Sequence, residues 1–189
     1  QCRSPKMAPS GLGRRGVLVV GEAPGANEDR QGVQLVGESG QLLRRTLARF
    51  GVDLDRDCWK TNTLICRTPD NAKPTDEQID CCRPNLTSAI EQYKPDVILL
   101  LGGPAVKSLL GTYWKEDVGS ISRWVGFQAP CQYLNTWICP TYHPAYILRQ
   151  QKDEVLKLWW TRHLEAAFKL QGKPWPNGVP DYDSRIERK

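Results

Sequence analysis

The chain has 189 residues, of which 25% are charged and 40% hydrophobic, and its net charge is +5. That length suits one domain with a sizeable core, and the composition lies in the range of a soluble globular protein. No apolar run approaches the roughly 20 residues that span a bilayer, and the polar, basic stretch Gln1 to Gly16 is unlike a signal peptide, so an intracellular, cytoplasmic protein is expected. The absence of an initiator methionine adds the expectation that the native chain begins upstream of Gln1. The mild positive charge suits a polyanionic partner held through phosphates, which are contacted without reading sequence.

Val17 to Val20 form an apolar run that reads as a buried strand. It opens onto Gly21-Glu22-Ala23-Pro24-Gly25-Ala26-Asn27-Glu28-Asp29, a loop punctuated by glycine and proline. Carboxylates at the mouth of a strand stand where α/β proteins bind ligands. Turns at Gly21 and Gly25 bring backbone amides near an anion or a polar base, with Glu22 and Glu28 at different depths. The same stretch also reads as an ordinary strand-to-helix connection with solvated acids. A short glycine-bounded segment, Gly32 to Gly37, follows. Ser39 is the expected N-cap of a helix that places Leu42, Leu43, Leu47 and Phe50 on one face and ends before Gly51.

Trp59 to Ile65 reads as a second strand running into Cys66-Arg67-Thr68-Pro69. Pro74-Thr75 starts a strong helix: Thr75 and Gln78 have capping-box spacing, and Ile79, Cys82, Leu86, Ala89 or Ile90, and Tyr93 repeat at helical period. Val97 to Leu101, continuously apolar, predicts a parallel strand covered on both faces, and Pro104 to Leu110 a short helix with proline in its first turn. Residues 112–135, rich in aromatics and glycine, read as an excursion over the sheet. Thr136 to Cys139 is a fourth strand ending in Pro140 to Arg149, and Asp153 to Leu170 an amphipathic last helix. This gives one domain over residues 1–170 and a charged, proline-containing tail over 171–189. Alternating strands and helices predict an α/β fold with the loops after the first, second and fourth strands at one edge.

Cleaving an N-glycosidic bond means handling positive charge on the sugar and negative charge on the departing base. A carboxylate such as Glu28 stabilises the first or orients a water, and a histidine donor such as His143 stabilises the second. Asn62 offers the donor and acceptor pair that reads a pyrimidine edge. The plainer alternatives are that His143 caps the turn before Pro144 and that Asn62 satisfies buried backbone. Seven cysteines in a chain read as cytosolic leave metal ligation for some and burial for the rest. Cys2, Cys66 and Cys82 are the candidate ligands of an iron–sulfur cluster or zinc, although no CxxC pair occurs. Cys58, Cys131 and Cys139 read as core residues. Trp159 and Trp160, at helical spacing with Leu156 and His163, read as a packing stripe. Arg149 is placed for a phosphate, and Tyr146-Ile147-Leu148 for a wedge into a base stack.

Taken together, these residues resemble the uracil-DNA glycosylase superfamily, most closely its iron–sulfur-containing family 4, over roughly residues 17–170. Gly21 to Gly25 with Glu28-Asp29 is similar to the family's first motif. Asn62, Cys66-Arg67, Pro74-Thr75 and Cys82-Arg83-Pro84 resemble its central cysteine region, and Leu101-Gly102, Ala105 and Leu109 to Gly111 the segment after its third strand. Thr141 to Tyr146 with Leu148-Arg149 matches its final motif. The resemblance implies a three-layer α/β/α sandwich around a four-stranded, mainly parallel sheet, a 4Fe–4S cluster, and excision of uracil from DNA by what is expected to be a monomer. It assigns Glu28, with Glu22 nearby, to the water or sugar cation and His143 to the leaving base. Asn62, with Leu35, Gly21 and Ala23, falls to uracil binding, and the loop carrying Tyr146, Leu148 and Arg149 to DNA. Cys2, Cys66 and Cys82 fall on cluster ligands, the fourth being expected upstream of Gln1 or at Cys81. Leu35 stands where the family places a phenylalanine stacked on uracil, a loss of π-face that bears on affinity and base range. Arg123-Trp124-Val125-Gly126 replaces the family's Arg-Gly pair. Competing readings are a glycosylase-fold protein that binds DNA or a protein partner without excision, and a zinc-stabilised structural module.

Overall fold

Every residue of Val97 to Leu101 is buried in the computed structural model of the chain, which describes residues 6–114 and 118–173. This strand, β3, lies at the centre of one sheet with β1 (Val17–Gly21), β2 (Cys58–Asn62), β4 (Ala129–Cys131) and β5 (Thr136–Thr141), in the order β2-β1-β3-β5-β4. Successive side chains of a strand point to opposite faces, and the core divides accordingly. Val17, Val19, Val97, Leu99 and Leu101 pack with Leu43 and Leu47 of α2 (Glu38–Ala48), Ile147 of α6 (Pro144–Arg149), and Trp160 and Leu164 of α7 (Glu154–Phe168). Leu18, Val20, Ile98 and Leu100 pack with Leu86 and Ile90 of α4 (Asp76–Tyr93) and with Val106 and Leu110 of α5 (Gly103–Trp114). The result is the expected α/β/α sandwich.

The sheet has five strands where four were expected. The fifth, β4, lies inside the segment read as an excursion and pairs antiparallel with β5; at three residues, with Pro130 in its middle, it carries no strand signature and is tolerated because it is an edge. A six-residue helix, α1 (Ala26–Gln31), stands within the first loop, and α3 (Leu54–Asp57) precedes β2. The helix expected to be capped by Ser39 starts earlier, on Gly37, with no side-chain cap. The reason is a long-range bond: the Glu28 carboxylate fixes the amides of Val36 and Gly37. The ladder of β2 ends at Asn62, not Ile65, although the N–H groups of Thr63 and Leu64 still reach the carbonyls of Gly21 and Glu22.

The segment from His143 to Arg149, expected as a loop, is helix α6, with Pro144 in its first turn. Ile147 is 2% exposed, in the core, so it cannot serve in a wedge; its neighbours Tyr146 and Leu148 fall on other sides of the helix. The tryptophan stripe divides for the same reason: Trp160 is buried while Trp159 is exposed beneath Arg162. The Thr75–Gln78 capping box forms as expected. Among the described residues no helix is long and apolar enough to cross a membrane. Cys2 and, from residue 174, the expected tail lie outside the described residues.

Candidate active site

Because β1, β2, β3 and β5 are mutually parallel, their C-terminal ends share one edge of the sheet, where open α/β sheets bind ligands. A groove of about 1310 Å³ opens there, larger than the roughly 300–1,000 Å³ of ordinary small-ligand pockets. The loop after β1 contributes Glu22, Ala23 and Glu28, and β2 ends in Asn62. From the other side come His143, Tyr146 and Arg149 of the β5–α6 junction. Leu35 lines the groove as well. Leu148 is half-buried and outside the lining, and Cys66 and Cys82 do not line it either.

Glu28 is held by backbone. Its Oε1 accepts from the Val36 N–H at 3.1 Å and the Gly37 N–H at 2.8 Å. Its Oε2 accepts no hydrogen bond among the described residues. Glycines make the slot: a Cβ on Gly25 would stand 2.7 Å from Oε2, and one on Gly37 3.1 Å from Oε1. Asn62 is 5% exposed, and its amide has no hydrogen-bond partner among the described residues, which leaves a donor and an acceptor facing the groove. Gly21, its register partner, admits that side chain, because a Cβ there would collide with Asn62 Oδ1.

His143 is the N-cap of α6, its Nδ1 accepting from the Ala145 N–H at 3.2 Å. That bond places the ring proton on Nε2. Burial, with the Arg149 guanidinium acting in the same sense and Glu28 opposing, pushes the imidazole pKa down to about 4. The ring is therefore neutral at pH 7 and still a donor. Burial raises the carboxyl of Glu22 above the usual range, against the pull of Lys73 and Arg149. Leu35 is 6% exposed with φ +57°, a left-handed conformation rare for a branched residue and typical of functional sites. Gly40 permits it, since a Cβ there would meet the Leu35 carbonyl.

Sequence reasoning missed Lys73, Lys107 and Tyr142. Lys73 lines the groove from the turn before α4, and the only signal was a basic residue beside Pro74. Lys107 pairs with Asp76 at 2.6 Å. Tyr142 packs its ring 4.9 Å from that of Tyr146, extending the aromatic face expected of Tyr146 alone.

For the cluster implied by the resemblance, Cys66 is buried, Cys82 is half-buried and Cys81 exposed. Among the described residues no three metal-binding side chains converge. Thiolates have the right softness for iron, yet Cys66 and Cys82 alone fall short of the four a cubane takes. The described residues by themselves therefore do not make a cluster site. Cys58 and Cys139, by contrast, are core residues as expected, and burial pushes both thiols up to about 12.

Residues 12–168 match the family model described as the uracil DNA glycosylase superfamily. The chain is 39% identical over 137 residues, 71% of its length and 69% of the relative's, to a type-4 uracil-DNA glycosylase of Pyrobaculum aerophilum. It is 34% identical over 151 residues to the type-4 uracil-DNA glycosylase of Sulfurisphaera tokodaii, covering 78% of this chain and 68% of that one. The corresponding protein of Thermotoga maritima is 34% identical over 143 residues, 75% of this chain and 71% of its own.

Proposed function

Because this chain belongs to the uracil DNA glycosylase superfamily, and by its relatives to the type-4 family, we propose that it hydrolyses the N-glycosidic bond of uracil in DNA, leaving an abasic site for base-excision repair. The observation that carries the reading is the meeting of Glu28, Asn62 and His143 in one groove. In this reading the enzyme is cytoplasmic and monomeric, and its partner is uracil-containing DNA.

The bond between sugar C1′ and uracil N1 breaks with its electron pair leaving on the base. The oxocarbenium-like sugar then takes a water, whose proton passes to a carboxylate. Glu28 suits that role, with Oε1 fixed by two amides and Oε2 open toward the water. Negative charge on the departing uracil is met by the Nε2–H of neutral His143, a donor pre-aimed by the Ala145 amide. Asn62 reads the uracil edge, and Leu35 gives the base an aliphatic face; Gly21 and Ala23 leave room for both. Glu22, whose carboxyl is raised by burial, supports the sugar side beside Glu28. Arg149 and the newly found Lys73 hold the flanking phosphates, with Tyr146 and Leu148 against the displaced strand.

Cys2, Cys66 and Cys82 are the proposed ligands of a 4Fe–4S cluster. The fourth thiolate is left to a residue other than Cys81, which is exposed on α4 and points about 100° away from Cys82. Cys66, in the loop after β2, and Cys82, on α4, would hold the cluster between them, where it would supply a structural cross-link beside the groove. About four irons per chain, lost together in Cys82→Ser, is the expected result; zinc instead of iron would refute it.

The functional test is alkali cleavage of labelled oligonucleotides carrying one uracil opposite guanine, opposite adenine or in a single strand, with Glu28→Gln as control. Breaks with the native protein that vanish in the variant are expected. Uracil-DNA binding without breaks would make the chain a binding protein on a glycosylase fold.

A further inference from the structure

Glu28 lies on α1, a helix of six residues that buries none of them. Packing of its own element therefore does not fix the carboxylate. What fixes it is the pair of amides at Val36 and Gly37, so the precision of Glu28 is that of the loop preceding α2. This loop belongs to no strand or helix, and its Leu35 sits in a left-handed conformation. The Leu35 carbonyl accepts from Arg44 Nη2 only at 3.4 Å, at the weak end of hydrogen-bond lengths.

The short, enclosed tie of the loop is Gln34, 1% exposed. Its Oε1 accepts from the Ser10 hydroxyl at 2.5 Å, and its Nε2 donates to the Ala8 carbonyl at 2.6 Å. The segment it grips is stitched to the outer edge of the sheet. Ser10 and Lys60 of β2 exchange backbone bonds of 3.0 and 2.7 Å, and the Met7 N–H donates to the Ile65 carbonyl at 2.7 Å. A continuous path runs from β2 through Ser10 and Gln34 to Val36, Gly37 and the Glu28 carboxylate.

We infer that Gln34 is a positioning residue for Glu28: its buried amide anchors the loop to the sheet edge through Ala8 and Ser10, and the loop amides then hold the carboxylate. The inference rests on the proposed glycosylase reading for its effect on rate, but not for its effect on the loop.

Gln34→Met keeps the length of the side chain and removes both bonds. It is expected to slow single-turnover uracil release about tenfold, as a small misplacement of a catalytic group does, while affinity for uracil-containing DNA stays within about twofold. In a Glu28→Gln background the same change is expected to cost less than about twofold, because a residue acting through Glu28 is silent once that carboxylate is gone. Hydrogen exchange at the Val36 and Gly37 amides, which reads the tie without chemistry, is expected to quicken by about tenfold. Ser10→Ala, which removes one bond from the partly exposed side, gives the same pattern at smaller size should Gln34→Met fold poorly. Equal losses in both backgrounds, or unchanged exchange at these two amides, overturn the inference. A native protein that releases no uracil sinks the functional reading instead, and the exchange result still decides the tie.

Discussion

On the β1–β2 side of the groove, Glu28 stands on a short unpacked helix and is held by amides of another loop. On the β5 side, His143 caps its own helix, whose Pro144 and Ile147 are buried. The carboxylate is therefore open to disturbance from residues it never touches. The imidazole is anchored locally, and its environment acts chiefly on its charge. One wall of the site depends on position and the other on protonation state, and variants can separate the two.

The largest effect is expected from Glu28→Gln, which preserves shape and removes the proton acceptor. Single-turnover release of uracil should fall by about 10³-fold, within the range of general-base losses, at unchanged thermal stability. A loss below about tenfold would mean that the amide-held carboxylate is not the group that handles the water.

His143→Ala comes next, at about 10²-fold, the usual loss for one donor to a developing anion. The pH dependence sharpens the distinction. Because the folded pKa is pushed down to about 4, His143 is already neutral across pH 5 to 8 and contributes no fall in rate as pH rises through its ordinary value near 6.5. A rate that required imidazolium, and fell on that limb in the native protein but not in His143→Gln, would reverse the assignment. Stability carries the matching sign. Between about 6.5 and 4 the unfolded chain takes up a proton that the folded chain refuses, so stability is complete above that window and erodes as pH falls through it. Denaturant unfolding at pH 7 and pH 5 should show less acid sensitivity in His143→Gln.

Asn62→Ala removes the groove's free amide from the position-dependent wall. A loss of roughly tenfold to a hundredfold in kcat/KM for uracil is expected, with weaker discrimination against cytosine. Unchanged discrimination would return Asn62 to a structural part beside Gly21. The smallest effect belongs to Lys73→Ala. If Lys73 meets a phosphate, the slope of log affinity against log salt should drop by about one, while the saturated rate stays put; an unaltered slope would leave Arg149 as the cation of that rim.

Legibility in the sequence followed the range of the forces involved. The capping box of Thr75 and Gln78 and the continuous apolar run of β3 appeared where expected, because capping and hydrophobic period are written within a few neighbouring residues. Ser39 failed as a cap because the Glu28 carboxylate, bonded to amides 8 and 9 residues further along, had already ordered the backbone before it. The three-residue β4 carried no local signal, since an edge strand borrows its order from the neighbour it pairs with. Trp159 and Ile147 were misread by treating a run as a unit, although consecutive residues on a helix turn by about 100°.

Taken alone, the sequence determined the alternation of strands and helices, the parallel sheet, and the motifs that mark Glu28, Asn62 and His143, because periodicity, end signals and motif spacing are properties of adjacent residues. Only the tertiary structure decided how those side chains are held and charged. The Gln34 bonds span 24 and 26 residues of chain, the bare α-carbon of Gly21 makes room for Asn62 across two strands, and the neutrality of His143 comes from the walls folded around it. Each depends on which distant groups are brought within a few ångströms, and that is fixed by packing of the whole sheet and its helices, not by any one stretch.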